Sequence, residues 1–358
     1  MSDEAGRSGR SAVASGDEGA PWVTARPGVR QFASEMYRRK SLERLQAHIE
    51  EVHATGVSRI EQLDLGVFRV DRGDDLSWVA RVFASSRPPE RVAGDAETLR
   101  FLAGRGYPAE RCATEEPVSL LDGQGVLVTE FVPPVPRQAR ADAIRGFGGF
   151  RTLGEMLGRL HRLPVAATED APSGGCWHHL GDGGPGEELA AAGRLLAMSG
   201  DVASSSDRKL RIALENALGD CDAADGLPEA LVHPDFVLPN VIASEGRGLV
   251  LVDWTGAGRA ARLWSLAFLL FSAGARGGPR LDRVVAGYSE HVRLEPEELA
   301  RLAKVMLARP VVLEIWAYCM GRKTLEEAAH AVLQAAELAE AVAGHAVDHF
   351  RQAPEPRR

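Results

Sequence analysis

Asp235 and Asn240 stand five residues apart, and Asp253 follows at the end of a later apolar run. Two carboxylates and an amide in this order can carry phosphoryl transfer from a nucleotide. One acid accepts the proton of an attacking hydroxyl, while the amide and the other acid hold a divalent cation on the phosphates. The stretch reads Leu231-Val232-His233-Pro234-Asp235-Phe236-Val237-Leu238-Pro239-Asn240-Val241-Ile242, then a polar turn around Ser244, Glu245 and Gly246, then Leu249-Val250-Leu251-Val252-Asp253-Trp254. Both apolar runs are short enough for buried strands, which predicts a hairpin with the polar groups at its edges. Any one of these polar residues is ordinary turn chemistry; three at this spacing around two strands is a sharper signal.

His-x-Asp-x-x-x-x-Asn followed by a strand and Asp-Trp resembles the aminoglycoside phosphotransferase and choline kinase-like family. The resemblance implies a two-lobed, protein-kinase-like α+β fold: a small β-sheet N-lobe with one helix, and a larger, mainly α-helical C-lobe. It implies an ATP-dependent small-molecule kinase. Asp235 is then the catalytic base, His233 orders the loop, Asn240 and Asp253 hold Mg²⁺, and the acceptor is a hydroxyl of a small molecule. His-Pro-Asp also marks J-domain co-chaperones, which carry it between two helices; strand-like runs on either side argue against that.

The elements that must position this set can be followed along the chain. Residues 1–30 are Ser, Gly, Ala and charge, and predict a disordered tail. From 29 to 53 the pattern is helical, with Leu42, Leu45 and Ile49 on one stripe. Three strands are predicted over 57–63, 67–70 and 76–83, the last two joined by Asp71-Arg72-Gly73-Asp74-Asp75. In the third, Arg81 shares a face with Val79 and Phe83, so its cation needs an anion or a phosphate beside it. A helix follows Pro88-Pro89 and ends near Gly104. By the resemblance, Arg81 pairs with Glu97 on that helix and touches the nucleotide phosphates. Residues 125–132 form a strand stopped by Pro133-Pro134. In the family this is the hinge that reads the adenine edge, which places Glu130 and Val132 at the nucleotide. The N-lobe is expected over 31–132, the C-lobe over 133–350 and a short tail over 351–358.

The second lobe is expected to be helical, beginning with the stripe Leu153, Met156, Leu157 and Leu160. Residues 165–187 are Gly-rich and carry Cys176-Trp177-His178-His179. No second ligand pair at zinc-site spacing accompanies these side chains, so a loop beside the substrate cleft is the better reading. Helices are expected over 207–218, 263–275, 296–307, 311–319 and 325–347. Trp316, Tyr318 and Glu314 suit the acceptor side, although helix packing accounts for them equally well.

Three departures from the family pattern support an alternative, a catalytically inactive nucleotide-binding or scaffold protein. Pro234 replaces a usual Gly, Ser265 stands where an Asp usually braces the loops, and the turn at Asp64-Leu65-Gly66 lacks a full Gly-rich loop. None removes a group that acts chemically. The net charge of −8, with acids and bases interspersed, argues against nucleic acid as partner. Four scattered cysteines and the absence of a signal-like start predict a cytoplasmic protein, and no segment is long enough to span a membrane. The identity of the acceptor, the choice between ATP and GTP, and the oligomeric state are not legible.

Overall fold

The computed structural model describes residues 24–36, 41–146, 148–164, 173–200 and 204–356. The N-terminal tail expectation lies outside them up to residue 23. In chain order the first elements are α1 (Arg30–Met36), α2 (Leu42–His53), β1 (Val57–Asp64), β2 (Val67–Arg72), β3 (Ser77–Val82), α3 (Pro89–Gly104), β4 (Val118–Leu121) and β5 (Gln124–Glu130). The strands form one antiparallel sheet in the order β1-β2-β3-β5-β4. Alternation decides its two faces. Phe68, Val70, Trp78, Ala80, Val82, Val126 and Val128 pack with Leu45 and Ile49 of α2 in one small core. Arg81 is on the opposite face and is 8% exposed.

The second lobe contains α4 (Arg140–Gly146), α5 (Phe150–His161), α6 (Pro185–Met198), α7 (Ser205–Asp220), β6 (Glu229–Val232), β7 (Val241–Ser244), β8 (Gly248–Leu251), β9 (Gly258–Ala261), α8 (Leu263–Gly274), α9 (Gly278–Ser289), α10 (Pro296–Cys319) and α11 (Leu325–Gln352). Strands β4 and β9 and helices α4, α6 and α9 have no counterpart in the expected elements. The long helical stretch over 29–53 is two helices, not one. The hairpin expectation needs correction as well. Its first run splits: β6 pairs with β9, and only β7 pairs with β8. Pro234 and Pro239 lie between β6 and β7, where neither has to donate to a ladder.

Proline misleads in the opposite direction at Pro310, where two helices were expected. One 24-residue helix runs through it. The missing N–H costs a backbone bond, but Arg309, Pro310, Val311 and Val312 are all buried, and packing on both sides keeps the helix continuous. Close approach sets the neighbouring pair. A Cβ on Gly154 of α5 would collide with the Val284 carbonyl, and one on Gly287 of α9 with the Arg151 carbonyl. The two glycines let these helix backbones nearly touch.

The start of the described chain packs on the second lobe, not on the sheet. The Arg26 N–H donates to the Cys319 carbonyl at 2.9 Å, and its guanidinium lies 4.5 Å from the Tyr318 ring centroid. Ala25, Val29 and Ala33 are buried there. A boundary at residue 31 therefore does not follow the packing, which assigns residues 24–36 to the far lobe. Among the described residues no helix is long and apolar enough to cross a membrane.

Candidate active site

A cleft of about 970 Å³ lies between the lobes, and Arg81, Asp235, Asn240 and Asp253 all line it. The loop between β6 and β7 positions Asp235 and Asn240. Asn240 Nδ2 donates to the Asp235 carbonyl at 2.9 Å and to its Oδ2 at 2.8 Å. Those bonds leave Oδ1 as the atom of the amide with which to meet a cation. Burial pushes the Asp235 carboxyl above the usual carboxylate range; nearby Asp253 adds to this, while Arg309 opposes it. A carboxylate tuned upward is a better proton acceptor at neutral pH.

His233 bonds two backbone segments at once. It is fully buried, its Nδ1 accepts the Asp235 N–H at 3.0 Å, and its Nε2 donates to the Val252 carbonyl at 3.1 Å. Burial lowers its pKa to about 4, so the ring is neutral in use. It ties the Asp235 loop to the segment carrying Asp253. The indole of Trp254 packs edge-on against His233, with ring centroids 4.9 Å apart.

Asp253 has φ +69°, a left-handed conformation that costs a non-glycine residue about 1 kcal/mol. Glu110 holds it there. Its Oε1 accepts the Asp253 N–H at 2.8 Å and lies 3.4 Å from Arg81 Nη2, and its Oε2 accepts from Thr129 at 3.0 Å. Arg81 Nη1 is also 3.6 Å from Asp253 Oδ1. The expected Arg81–Glu97 pair is therefore replaced by Arg81–Glu110. On α3 the inward stripe is Val92, Asp95, Ala96, Leu99 and Leu102, which turns Glu97 out to solvent. Asp95 is the buried acid of that helix. It pairs with Arg87 at 2.9 Å and accepts the Gly256 N–H at 3.2 Å, while Arg87 also meets Asp182.

Glu110 escaped sequence reasoning because it lies outside any periodic element. Its place depends on a parallel bridge between Ala109 and Leu251, which lays residues 108–110 beside β8. The hinge residues are also displaced from expectation: neither Glu130 nor Val132 lines the cleft. The Glu130 N–H donates to the Arg111 carbonyl at 2.8 Å, its carboxylate lies 3.4 Å from Arg247, and Val132 is 2% exposed.

The missing acid at position 265 has a structural substitute. Ser265 Oγ donates to the His233 carbonyl at 2.6 Å. Arg309 donates to the Pro234 carbonyl and is held by Glu188 of α6 at 3.0 Å. Both are buried, so the catalytic loop is braced by a desolvated ion pair. The cleft is also lined by Phe32, Trp177, His178, His179 and Trp316, together with the turn Asp64-Leu65-Gly66. Trp177 and Trp316 meet edge-on at 5.2 Å. A Cβ on Gly66 would come within 2.7 Å of the Val82 carbonyl, so this turn requires glycine.

The matched set Asp235, Asn240 and Asp253 falls inside the span, residues 59–304, that fits the family described as phosphotransferase enzyme family. The chain belongs to this family. The chain also shares its fold with solved structures. A choline kinase, LicA from Streptococcus pneumoniae, is 15% identical with a TM-score of 0.54, over 82% of this chain and 98% of that one. A thermostable mutant of aminoglycoside phosphotransferase APH(4)-Ia is 19% identical with a TM-score of 0.56, over 84% and 98%. Amicoumacin kinase hAmiN, in complex with AMP-PNP, Ca²⁺ and Ami, is 14% identical with a TM-score of 0.54, over 88% and 92%. These neighbours are small-molecule kinases, and the chain has their two-lobed, kinase-like α+β fold. A comparison with curated protein sequences gives no match.

Proposed function

We propose that this chain moves the γ-phosphoryl group of ATP to a hydroxyl of a small molecule, with Mg²⁺ as cofactor. The observation carrying this reading is the convergence of Asp235, Asn240, Asp253 and Arg81 on one cleft, with Asn240 bonded to Asp235 and Arg81 beside Asp253. The donor set fits a hard divalent cation: Asn240 offers an amide oxygen, and the side chain of Asp253 is 36% exposed toward the cleft. When bound, the cation neutralises charge on the phosphates.

The protein's own groups do the rest. Asp235 orients the acceptor hydroxyl and takes its proton as the oxygen attacks. Arg81, steadied by Glu110, directs positive charge toward the phosphates. His233, Ser265 and Arg309 hold the Asp235 loop, so the base is in place before the substrate arrives. The aromatic wall of Phe32, Trp177 and Trp316 gives the acceptor an apolar surface to lie against, which excludes water from the attacking oxygen. That a choline kinase and an aminoglycoside phosphotransferase share the fold supports a small acceptor. The scaffold alternative weakens because Arg309 and Ser265 satisfy the loop despite Pro234 and the missing acid.

Incubation of the protein with labelled ATP and a panel of hydroxylated acceptors tests this. Transfer of label to one acceptor class, dependent on Mg²⁺, is expected. Mg²⁺–ATP binding without transfer across amino alcohols, sugars and sugar-bearing or peptide antibiotics would favour the scaffold.

A further inference from the structure

On the face of the second lobe formed by α9 and α11, Asp282, His345 and His349 bring their ligand atoms within 4.8 Å of one another. None of the three lines the cleft, so the cluster is separate from the phosphoryl-transfer site. The two histidines lie one helical turn apart on α11, and their rings stack at 4.6 Å with an interplanar angle of 23°. Both Nε2 atoms face one carboxylate oxygen: His345 at 2.6 Å and His349 at 3.5 Å from Asp282 Oδ1.

A simple hydrogen bond accounts for His345 but not for the second ring held parallel to it and directed at the same oxygen. From this geometry we infer a binding site for a borderline divalent transition metal such as Zn²⁺, clipping α9 to α11. A tetrahedral ion with bonds of about 2.0–2.2 Å needs donor atoms about 3.3–3.5 Å apart. The 2.6 and 3.5 Å separations, within the 4.8 Å limit for the set, bracket that requirement. Side-chain rotation alone reaches it, because all three side chains are 40–43% exposed and free to adjust. Two imidazoles and one carboxylate select Zn²⁺, Co²⁺ or Ni²⁺ over Mg²⁺ and Ca²⁺, which prefer all-oxygen sets. Water completes the coordination on the open side. The role is structural, since the site joins two helices and lies outside the cleft.

Thermal unfolding of the full chain in ZnCl₂, with MgCl₂ as reference, tests the clip. Metal held only by the folded state should raise Tm by about 3 °C or more at a hundredfold excess over Kd. His345→Ala and His349→Ala should each lose that rise while keeping the Mg²⁺ response, and, if the chain is a kinase, its turnover. Co²⁺ should give a d–d spectrum in the parent without a thiolate charge-transfer band, and His349→Ala should abolish it. No Zn²⁺-dependent rise in the parent, or an equal rise in both histidine variants, would overturn the inference. A thiolate band would do the same by assigning the ion to a cysteine.

Discussion

At the scale of single residues, the Arg81 guanidinium lies between two carboxylates, 3.4 Å from Glu110 and 3.6 Å from Asp253. Asp235, Asn240 and Asp253 announce themselves because each must be one residue type at one spacing. Arg81 was legible because a cation on a covered strand face needs an anion. Which anion depends on where the chain returns, and no local pattern marks Glu110. A double-mutant cycle separates the two candidates. Arg81→Ala should weaken nucleotide binding roughly tenfold or more, and Glu110→Gln should do so less. If the pair acts as a unit, the double variant should be less damaged than the sum of the singles by about 1 kcal/mol. Glu97→Ala should leave affinity within about twofold, as expected of an exposed side chain. A large coupling between Arg81 and Glu97 in nucleotide titrations would restore the discarded pair.

At the scale of elements, hydrophobic periodicity located most strands and helices, while the errors came from tertiary packing. The sheet strands were legible because they alternate toward α2; the first run of the expected hairpin was misassigned because its partner, β9, comes from beyond Asp253. Helix α6 begins at the end of the Gly-rich stretch, where no element is expected, yet it carries Glu188. Two predictions belong here. Breaking the buried Glu188–Arg309 pair with Glu188→Gln should cost about 3 kcal/mol, because Arg309 then stays buried without its anion. Denaturant unfolding measures it, and a loss under about 0.5 kcal/mol would show that the brace is not formed. Where α5 meets α9, Gly154→Ala should lower stability by about 1–3 kcal/mol through overpacking against the Val284 carbonyl. An unchanged midpoint would mean the helices are farther apart than described.

At the scale of the whole molecule, the two-lobed fold was expected from the resemblance, but the course of the N-terminal segment was not. Ala25, Val29 and Ala33 are too few apolar residues to reveal a docking segment, and only their burial shows it. Acid should loosen the whole structure. Burial lowers His161 to about 3 and His233 and His179 to about 4, from the ordinary 6.5. Between pH 6.5 and 4 the unfolded chain therefore binds protons that the native state refuses, so stability falls as pH falls through that window. Asp95 acts oppositely: burial raises it to about 6, so the native state binds its proton first and recovers part of the loss. Burial also lowers His178 well below the ordinary value and raises Asp235 and Glu188; the four buried histidines against these three acids predict a lower Tm at pH 5 than at pH 7, and an equal or higher Tm at pH 5 would contradict the buried neutral rings. The central claim, that Asp235 is the base of a phosphoryl transfer, rests on one comparison between the parent and Asp235→Asn. Asparagine keeps the shape and the bond to Asn240 but cannot take a proton. Turnover of the acceptor found with labelled ATP should fall by ~10²–10⁴-fold. The rise in Tm with Mg²⁺–ATP should survive, because Asn240 and Asp253 are intact. Full turnover in Asp235→Asn would contradict the account.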